Sequence, residues 1–569
     1  MTTDSQSYQI FKRSRTTFLF GAALLFLFLR CGNGEPGFVA EDSLTDQEKE
    51  QMLHDELRGL FSAGNDALYI DSMLCLSTAE LRRFYEAREF RPFWVDLHAS
   101  NDLGKNMLGF LDSAWAYGFD PDWFFYGAMR ARLDSASNTE NYVLQSKYLA
   151  QADVLLSNAF FLQTVFIAEG FIDTASMGVA LKRDSIPLDL VKYLQETTSE
   201  NLTARITAYE PDFIEYRLMR KALSRWSAAS SKWKDEFSIP ESKKDSVGFW
   251  TEAKKVLLKM ELLDTATVKV DSLVVNALKN LQAAHKLDID GKPGKQSKWV
   301  LETSNYERFL MAALAMEKWR WKNRTMDFQF HINIPSYELH VLRNDSIIYL
   351  ARVVTGLPDH QTPELRASVR YFTLHPFWNV PHSISTEEIL PFVKRDTNYM
   401  HKHHYRIFDL KKNPVSIGSV NWKRLSKDYF PYRIRQDGGT WNSLGLIVFW
   451  FPNKYDVYLH DTPMKPLFKR DVRPFSHGCM RLQDPFRLGE LVWEQQWPKD
   501  TVTADTLRNW ALKAESEVRY GLKKYIPIEV DYITSTADSL GNIFFHYDVY
   551  GRDEKYFAII RKAFAFGEK

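Results

Sequence analysis

The hydrophobic period of this chain changes once, near Asn323. Before that point apolar residues recur at helical spacing, as in Leu53, Leu57, Leu60 and Phe61, or Leu108, Leu111 and Trp115. After it, Phe328, Phe330, Ile332 and Ile334 alternate with polar residues, the two-residue period of a strand. Helices followed by strands, rather than the two interleaved, predict an α+β chain. A length of 569 residues leaves room for more than one domain.

The helical half reads as a scaffold domain over residues 35–265. Residues 152–168 are mostly apolar, so that helix is expected to be buried on most sides. Residues 268–302 form a smaller helical unit, with Val275, Leu278, Leu281 and His285 on one face before the turn Asp290-Gly291-Lys292-Pro293-Gly294. An amphipathic connecting helix, residues 303–325, ends at Lys318-Trp319-Arg320-Trp321 and delivers the chain to the β-rich part.

At the N-terminus Lys12, Arg13 and Arg15 precede a thirteen-residue apolar run, residues 17–29. That is shorter than the ~20 residues that span a bilayer comfortably, and it fits an export signal. Cys31-Gly32-Asn33-Gly34 resembles a lipoprotein processing site, although Arg30 stands where such sites take a small residue. Residues 1–34 are therefore expected to be an export or lipoprotein signal, with lipidation at Cys31, or an uncleaved membrane anchor. In each version the rest of the chain reaches the periplasm or cell envelope. The three cysteines, Cys31, Cys75 and Cys479, leave at least one thiol unpaired. A formal net charge of +1 argues against a nucleic-acid partner.

In the back half, residues 339–342 and 347–354 read as a hairpin around Asn344-Asp345. Residues 369–374, 445–451 and 456–460 are further strands, and a helix is expected near 484–496. The segment at about 385–431 has another texture, polar and basic, and reads as a cap inserted over the sheet. Its His401, His403 and His404 lack carboxylate or thiol partners at ligand spacing and read as a solvated loop; no metal site is expected. The catalytic domain is placed at 326–500, with a C-terminal helix and strands, 501–569, packing on the scaffold.

The chemistry concentrates in Tyr458-Leu459-His460-Asp461 and Ser476-His477-Gly478-Cys479-Met480-Arg481. Strand alternation puts Tyr458 and His460 on one face and Leu459 in the core. A loop of fifteen residues, 461–475, can fold back to bring Cys479 near His460. Gly478 allows the backbone beside the thiol an unusual, close-approach conformation. The N–H groups of Gly478, Cys479 and Met480 would then face a developing oxyanion. His460 or His477 would activate the thiol by stabilising its thiolate.

His460 with Ser476-His477-Gly478-Cys479-Met480-Arg481 resembles the signature of the YkuD-type L,D-transpeptidases. Tyr458-Leu459-His460-Asp461-Thr462-Pro463, Phe377-Trp378-Asn379-Val380-Pro381, Asn442-Ser443-Leu444-Gly445 and Tyr547-Asp548-Val549-Tyr550-Gly551-Arg552-Asp553 resemble the large multidomain, YcbB-like branch. So do Phe84-Tyr85 to Phe93-Trp94 and Leu111 to Pro121, in its helical scaffold. Met480 departs mildly from the branch, as does Asp437-Gly438-Gly439. Leu281-Gln282-Ala283-Ala284-His285 resembles a small peptidoglycan-binding helical module, for which a structural spacer is the simpler role.

The resemblance implies Cys479 as nucleophile, His460 as general base, His477 in support and Gly478 as oxyanion backbone. It places Tyr458, Trp378, Arg481 and Ser476 at the substrate. It implies two-step acyl transfer without cofactor: a tetrapeptide stem of peptidoglycan is the donor, D-Ala leaves, and a stem amine accepts to give a 3→3 crosslink. It also implies acylation by carbapenems. Hydrolysis of the same stems by a cysteine carboxypeptidase or endopeptidase, and a non-catalytic wall-binding lipoprotein, are the competing readings.

Overall fold

In a computed structural model the described residues are 43–62, 67–172, 188–226, 237–260, 262–264, 272–285, 287–322 and 327–564. Residues 1–34, expected to be a signal or anchor and including Cys31, lie outside them.

The apolar stretch at 152–168 belongs to helix Tyr142–Glu169, which is enclosed along its length. Helices Asp46–Leu60, Thr78–Ala87, Asp102–Asp112 and Tyr126–Ser137 pack around it. A two-stranded hairpin, β1 (Leu68–Ile70) and β2 (Met73–Cys75), lies at the edge of this core. A charge inside such a core needs compensation. Asp153 receives the backbone N–H groups of Phe93, Trp94 and Val95 at 2.9, 2.6 and 3.1 Å and the Tyr85 hydroxyl at 2.5 Å. The Phe84-Tyr85 and Phe93-Trp94 phrases are thus the binding partners of one buried carboxylate.

Three expectations about boundaries are corrected. Helix Asn305–Arg320 is not an amphipathic connector: all sides from Arg308 to Arg320 are buried, and it completes the scaffold core. Its Glu317 accepts from the Phe171 and Ile172 N–H groups at 2.7 and 2.8 Å. Gly118, at φ +74°, lets it close in, since a Cβ there would stand 3.2 Å from Ala313 and Met316. Helix Ser246–Lys259, expected in the scaffold, instead packs with Ser272–Ala284 and Lys295–Glu302. This three-helix unit shares its core with the β-domain. Finally, the sheet of the β-domain also takes in residues 518–531, from the segment assigned to scaffold packing.

That domain is a nine-stranded sheet of β3 (Gln329–Asn333), β4 (Glu338–Arg343), β5 (Ser346–Gly356), β6 (Leu365–Leu374), β11 (Ile447–Trp450), β12 (Leu459–His460), β13 (Pro474–Ser476), β14 (Met480–Leu482) and β15 (Val518–Asp531), the intervening strands forming a separate sheet. The order is β13-β5-β14-β12-β11-β6-β15-β3-β4, and β4 pairs back onto β5, so the ladder closes. Asn344 and Asp345 both take positive φ at the β4–β5 turn, as the hairpin reading requires. Strand β15, from the segment assigned to scaffold packing, sits between β6 and β3. Helix Ala504–Lys513 packs against helix Pro485–Gln496 on the same domain. The part from the end of β15 onward reaches the scaffold: Tyr532 O accepts from Lys318 at 2.7 Å, and β16 (Ser535–Ala537), β17 (Ile543–Phe545) and helix Glu554–Phe564 pack there, with Phe564 stacked on Trp123 at 4.4 Å.

The separate sheet belongs to the inserted cap. It comprises β7 (Trp378–Asn379), β8 (Tyr405–Asp409), β9 (Pro414–Val415) and β10 (Tyr432–Gln436), in the order β7-β10-β8-β9. The cap has its own apolar core, from Val380 to Ile434, and so extends past 385–431 at both ends. His403 stacks on Tyr399 at 4.0 Å and His404 on Trp441 at 3.9 Å; His401 is exposed.

Candidate active site

β12 and β14 are parallel neighbours with Leu459 opposite Met480 and His460 opposite Arg481. Leu459, Met480 and Leu482 point into the barrel core. Alternation therefore sends Tyr458, His460, Cys479 and Arg481 to the opposite face. Tyr458 adjoins both: its ring lies 5.7 Å from that of His460, and it hydrogen-bonds Cys479.

Cys479 ends the turn between β13 and β14. Gly478 takes φ +109° there. A Cβ at Gly478 would meet nothing closer than 3.5 Å, so backbone conformation, not space, demands glycine. Ser476 fastens the turn: its hydroxyl donates to the Cys479 carbonyl at 2.6 Å and accepts the Gly478 N–H at 3.2 Å. The Cys479 sulfur receives the Tyr458 backbone N–H and the Tyr458 hydroxyl. That hydroxyl is also bonded by Trp378 of β7, which ties the cap to the Cys479 turn.

His460 is buried, with Nδ1 2.5 Å from the Asp461 carbonyl and the Leu444 carbonyl also at its ring. The Asp461 side chain braces the Leu444 loop by accepting Leu446 N–H at 2.9 Å, and it pairs with Lys465 at 2.7 Å. Gly445 (φ +64°) passes so close that a Cβ would lie 2.4 Å from the Asp461 side chain.

Burial, then the Arg481 guanidinium, press the His460 imidazole down to about 3. Burial pushes the Cys479 thiol up to about 11, against the Tyr458 donors and Arg481, which favour the thiolate. Both shifts favour the neutral forms, thiol and imidazole. Burial also lowers the Arg481 guanidinium, and its Nε has no hydrogen-bond partner among the described residues.

Residues 327–502 match the family model of the YkuD L,D-transpeptidase catalytic domain, and residues 79–223 match a scaffold-domain model. A Haemophilus influenzae protein named "Putative L,D-transpeptidase" is 32% identical over 224 residues, covering 39% of this chain and 44% of that relative. The match thus spans less than half of the relative's length. The chain carries a YkuD-type L,D-transpeptidase domain.

Within the transpeptidase domain two anticipated site residues do other work. His477 turns away to the cap: its Nε2 pairs with Glu388 at 2.7 Å and its ring lies 4.9 Å from that of His360. Ser476 is buried and its hydroxyl is spent within the turn, so it does not line the substrate space. The anticipated oxyanion donors are also reduced. The Gly478 N–H is taken by Ser476, and the Met480 N–H by the Tyr458 carbonyl at 3.0 Å. The Cys479 N–H has no backbone partner among the described residues.

Two positioning residues were not legible. Thr362, fully buried, donates to the Gly478 carbonyl at 2.8 Å and accepts the Gly356 N–H at 2.8 Å. Tyr550, from the C-terminal segment, accepts Thr362 N–H at 3.1 Å and donates to Gly356 O at 2.7 Å. The one sequence signal was the Tyr547-to-Asp553 phrase, which carries no catalytic residue type at a catalytic spacing.

Proposed function

We propose that the protein is a cysteine L,D-transpeptidase of the cell envelope that forms 3→3 peptidoglycan crosslinks. The observation that carries this is the common face of Tyr458, His460, Cys479 and Arg481, with the sulfur held by two Tyr458 donors. With Nδ1–H on the Asp461 carbonyl, Nε2 of His460 keeps the lone pair a base needs. The thiol proton passes to that nitrogen as sulfur bonds the carbonyl carbon of the third stem residue. The Cys479 N–H receives the oxyanion. Collapse breaks the peptide bond, the proton goes to the departing D-Ala amine, and a thioester remains. A second stem's side-chain amine then displaces sulfur. Arg481, with Nε unpartnered, suits a stem carboxylate. No cofactor enters these steps, carbapenems would acylate the same sulfur, and the three-helix unit serves as a spacer beside the barrel.

Water in place of the amine gives the carboxypeptidase reaction with the same residues. The soluble exported part, incubated with tetrapeptide-stem disaccharides, separates the two by product mass spectrometry against Cys479→Ala. A dimer short of one D-Ala, 3→3 by fragmentation and absent from the control, is expected. D-Ala loss without dimer means hydrolysis, and no turnover with no carbapenem adduct means a non-catalytic protein.

A further inference from the structure

We propose that Glu215, His331 and His340 form a site for one divalent transition-metal ion of the zinc class, set between the helical scaffold and the transpeptidase barrel. Glu215 comes from scaffold helix Ile214–Arg225, His331 from β3 and His340 from β4. His331 and His340 are direct register partners, so both project from one face of the sheet. Glu215 of the scaffold lies against that face, and every residue of β3 is buried despite the alternating sequence. One donor atom from each of the three residues lies within 4.8 Å of the other two. His331 Nδ1 and Glu215 Oε1 are already 3.1 Å apart. A tetrahedral ion with ligands at about 2.0–2.1 Å holds its donor atoms about 3.3 Å apart, so closure asks for small side-chain rotations.

The arrangement behind the histidines argues for a ligand set rather than a chance cluster. His331 Nε2 lies 2.6 Å from Asp531 Oδ2, and His340 Nε2 lies 3.3 Å from Glu338 Oε2. Each imidazole thus has a carboxylate on its far nitrogen, which fixes the Nε2–H tautomer and turns the Nδ1 lone pair toward the shared space. Metal-ligating histidines are oriented in this way. His340 Nδ1 is buried and has no hydrogen-bond partner among the described residues. Lys322 bonds Asp531, keeping that carboxylate in the outer role. The donor set, two imidazoles and a carboxylate, suits zinc over calcium or magnesium. Bound there, the ion would pin the scaffold helix to the barrel, reinforcing Asp345 of the β4–β5 turn, which accepts the Ile214 N–H at 2.9 Å.

The test uses the full chain carrying Cys479→Ala, so that the thiol contributes no binding. After chelator treatment it is dialysed against micromolar zinc, and against cobalt as a spectroscopic probe. The expected result is one ion per chain, cobalt d–d bands without a thiolate charge-transfer band, and a melting temperature that rises with zinc. His340→Gln and Glu215→Gln, from opposite sides of the interface, should each abolish uptake while keeping the metal-free circular dichroism spectrum. Zinc retained no better than in a buffer blank, or retained equally by either folded variant, overturns the proposal.

Discussion

Tyr458 meets Cys479 twice, giving its backbone N–H and its phenol to the same sulfur. Only the phenol can be removed without disturbing the strand. Both contacts favour the thiolate, in a site where burial pushes the thiol up to about 11. Hydrogen bonds to charged groups are worth about 1.5–3 kcal/mol. Tyr458→Phe should therefore slow acylation by a carbapenem roughly 10- to 100-fold and raise the thiol further, read from alkylation rate against pH. Equal rates in the two proteins would mean that the phenol serves only to hold Trp378.

The shifts of Cys479 and His460 toward their neutral forms predict a particular pH dependence. A thiol at about 11 leaves roughly one molecule in ten thousand ionised at pH 7. Iodoacetamide alkylation of Cys479 should rise about tenfold per pH unit from 7 to 10. No shoulder is expected near 6.5, because His460 stays neutral down to about 3. His460→Gln should cost ~10²–10⁴ in acylation by a carbapenem, the usual range for a general base. A plateau of alkylation near neutrality would point to a preformed ion pair.

Acid stability follows from His285 as well as His460. Burial, then Arg308, press the His285 imidazole from 6.5 to about 3. The unfolded chain takes up this proton below 6.5 while the folded chain does not. Stability is intact above that pH and falls toward 3, at about 1.4 kcal/mol per pH unit per histidine. In urea melts between pH 6 and 4, His285→Gln should be less steeply acid-sensitive by about that amount. Parallel pH slopes for the two proteins would remove His285 from the account.

Gly445→Ala tests the brace beneath His460, the proposed base. The new methyl would strike the Asp461 side chain, in a left-handed conformation that costs a non-glycine residue about 1–2 kcal/mol. Because Asp461 and Leu444 supply the carbonyls at His460, activity should fall about 10²-fold through misplacement of the base. The fold should survive by circular dichroism. Activity within twofold of wild type would show that His460 is positioned by other contacts.

Much of the domain arrangement was written locally. The change of period near Asn323 located the start of the barrel, and the apolar run at 152–168 its counterpart, the scaffold's central helix. What misled was burial imposed from outside. Helix Asn305–Arg320 carries Arg308, Glu317, Lys318 and Arg320 and reads as amphipathic. Glu317 is matched by the Phe171 and Ile172 N–H groups, and Lys318 by Tyr532 O and Asp553, partners far away in sequence.

The sequence by itself determined the Gly478-Cys479 turn, its strand neighbours and the face that Tyr458 shares with His460, because residue type, two-residue alternation and a glycine beside a cysteine are local properties. Tertiary structure decided what each polar group spends its hydrogen bonds on. It turned His477 to Glu388 in the cap, closed Ser476 into the turn, and brought Thr362 and Tyr550 beneath Gly478. It also shifts Cys479 and His460 toward their neutral forms, since the cost of burying a charge depends on everything packed around it, and that is fixed only when the cap, the barrel and the C-terminal segment meet.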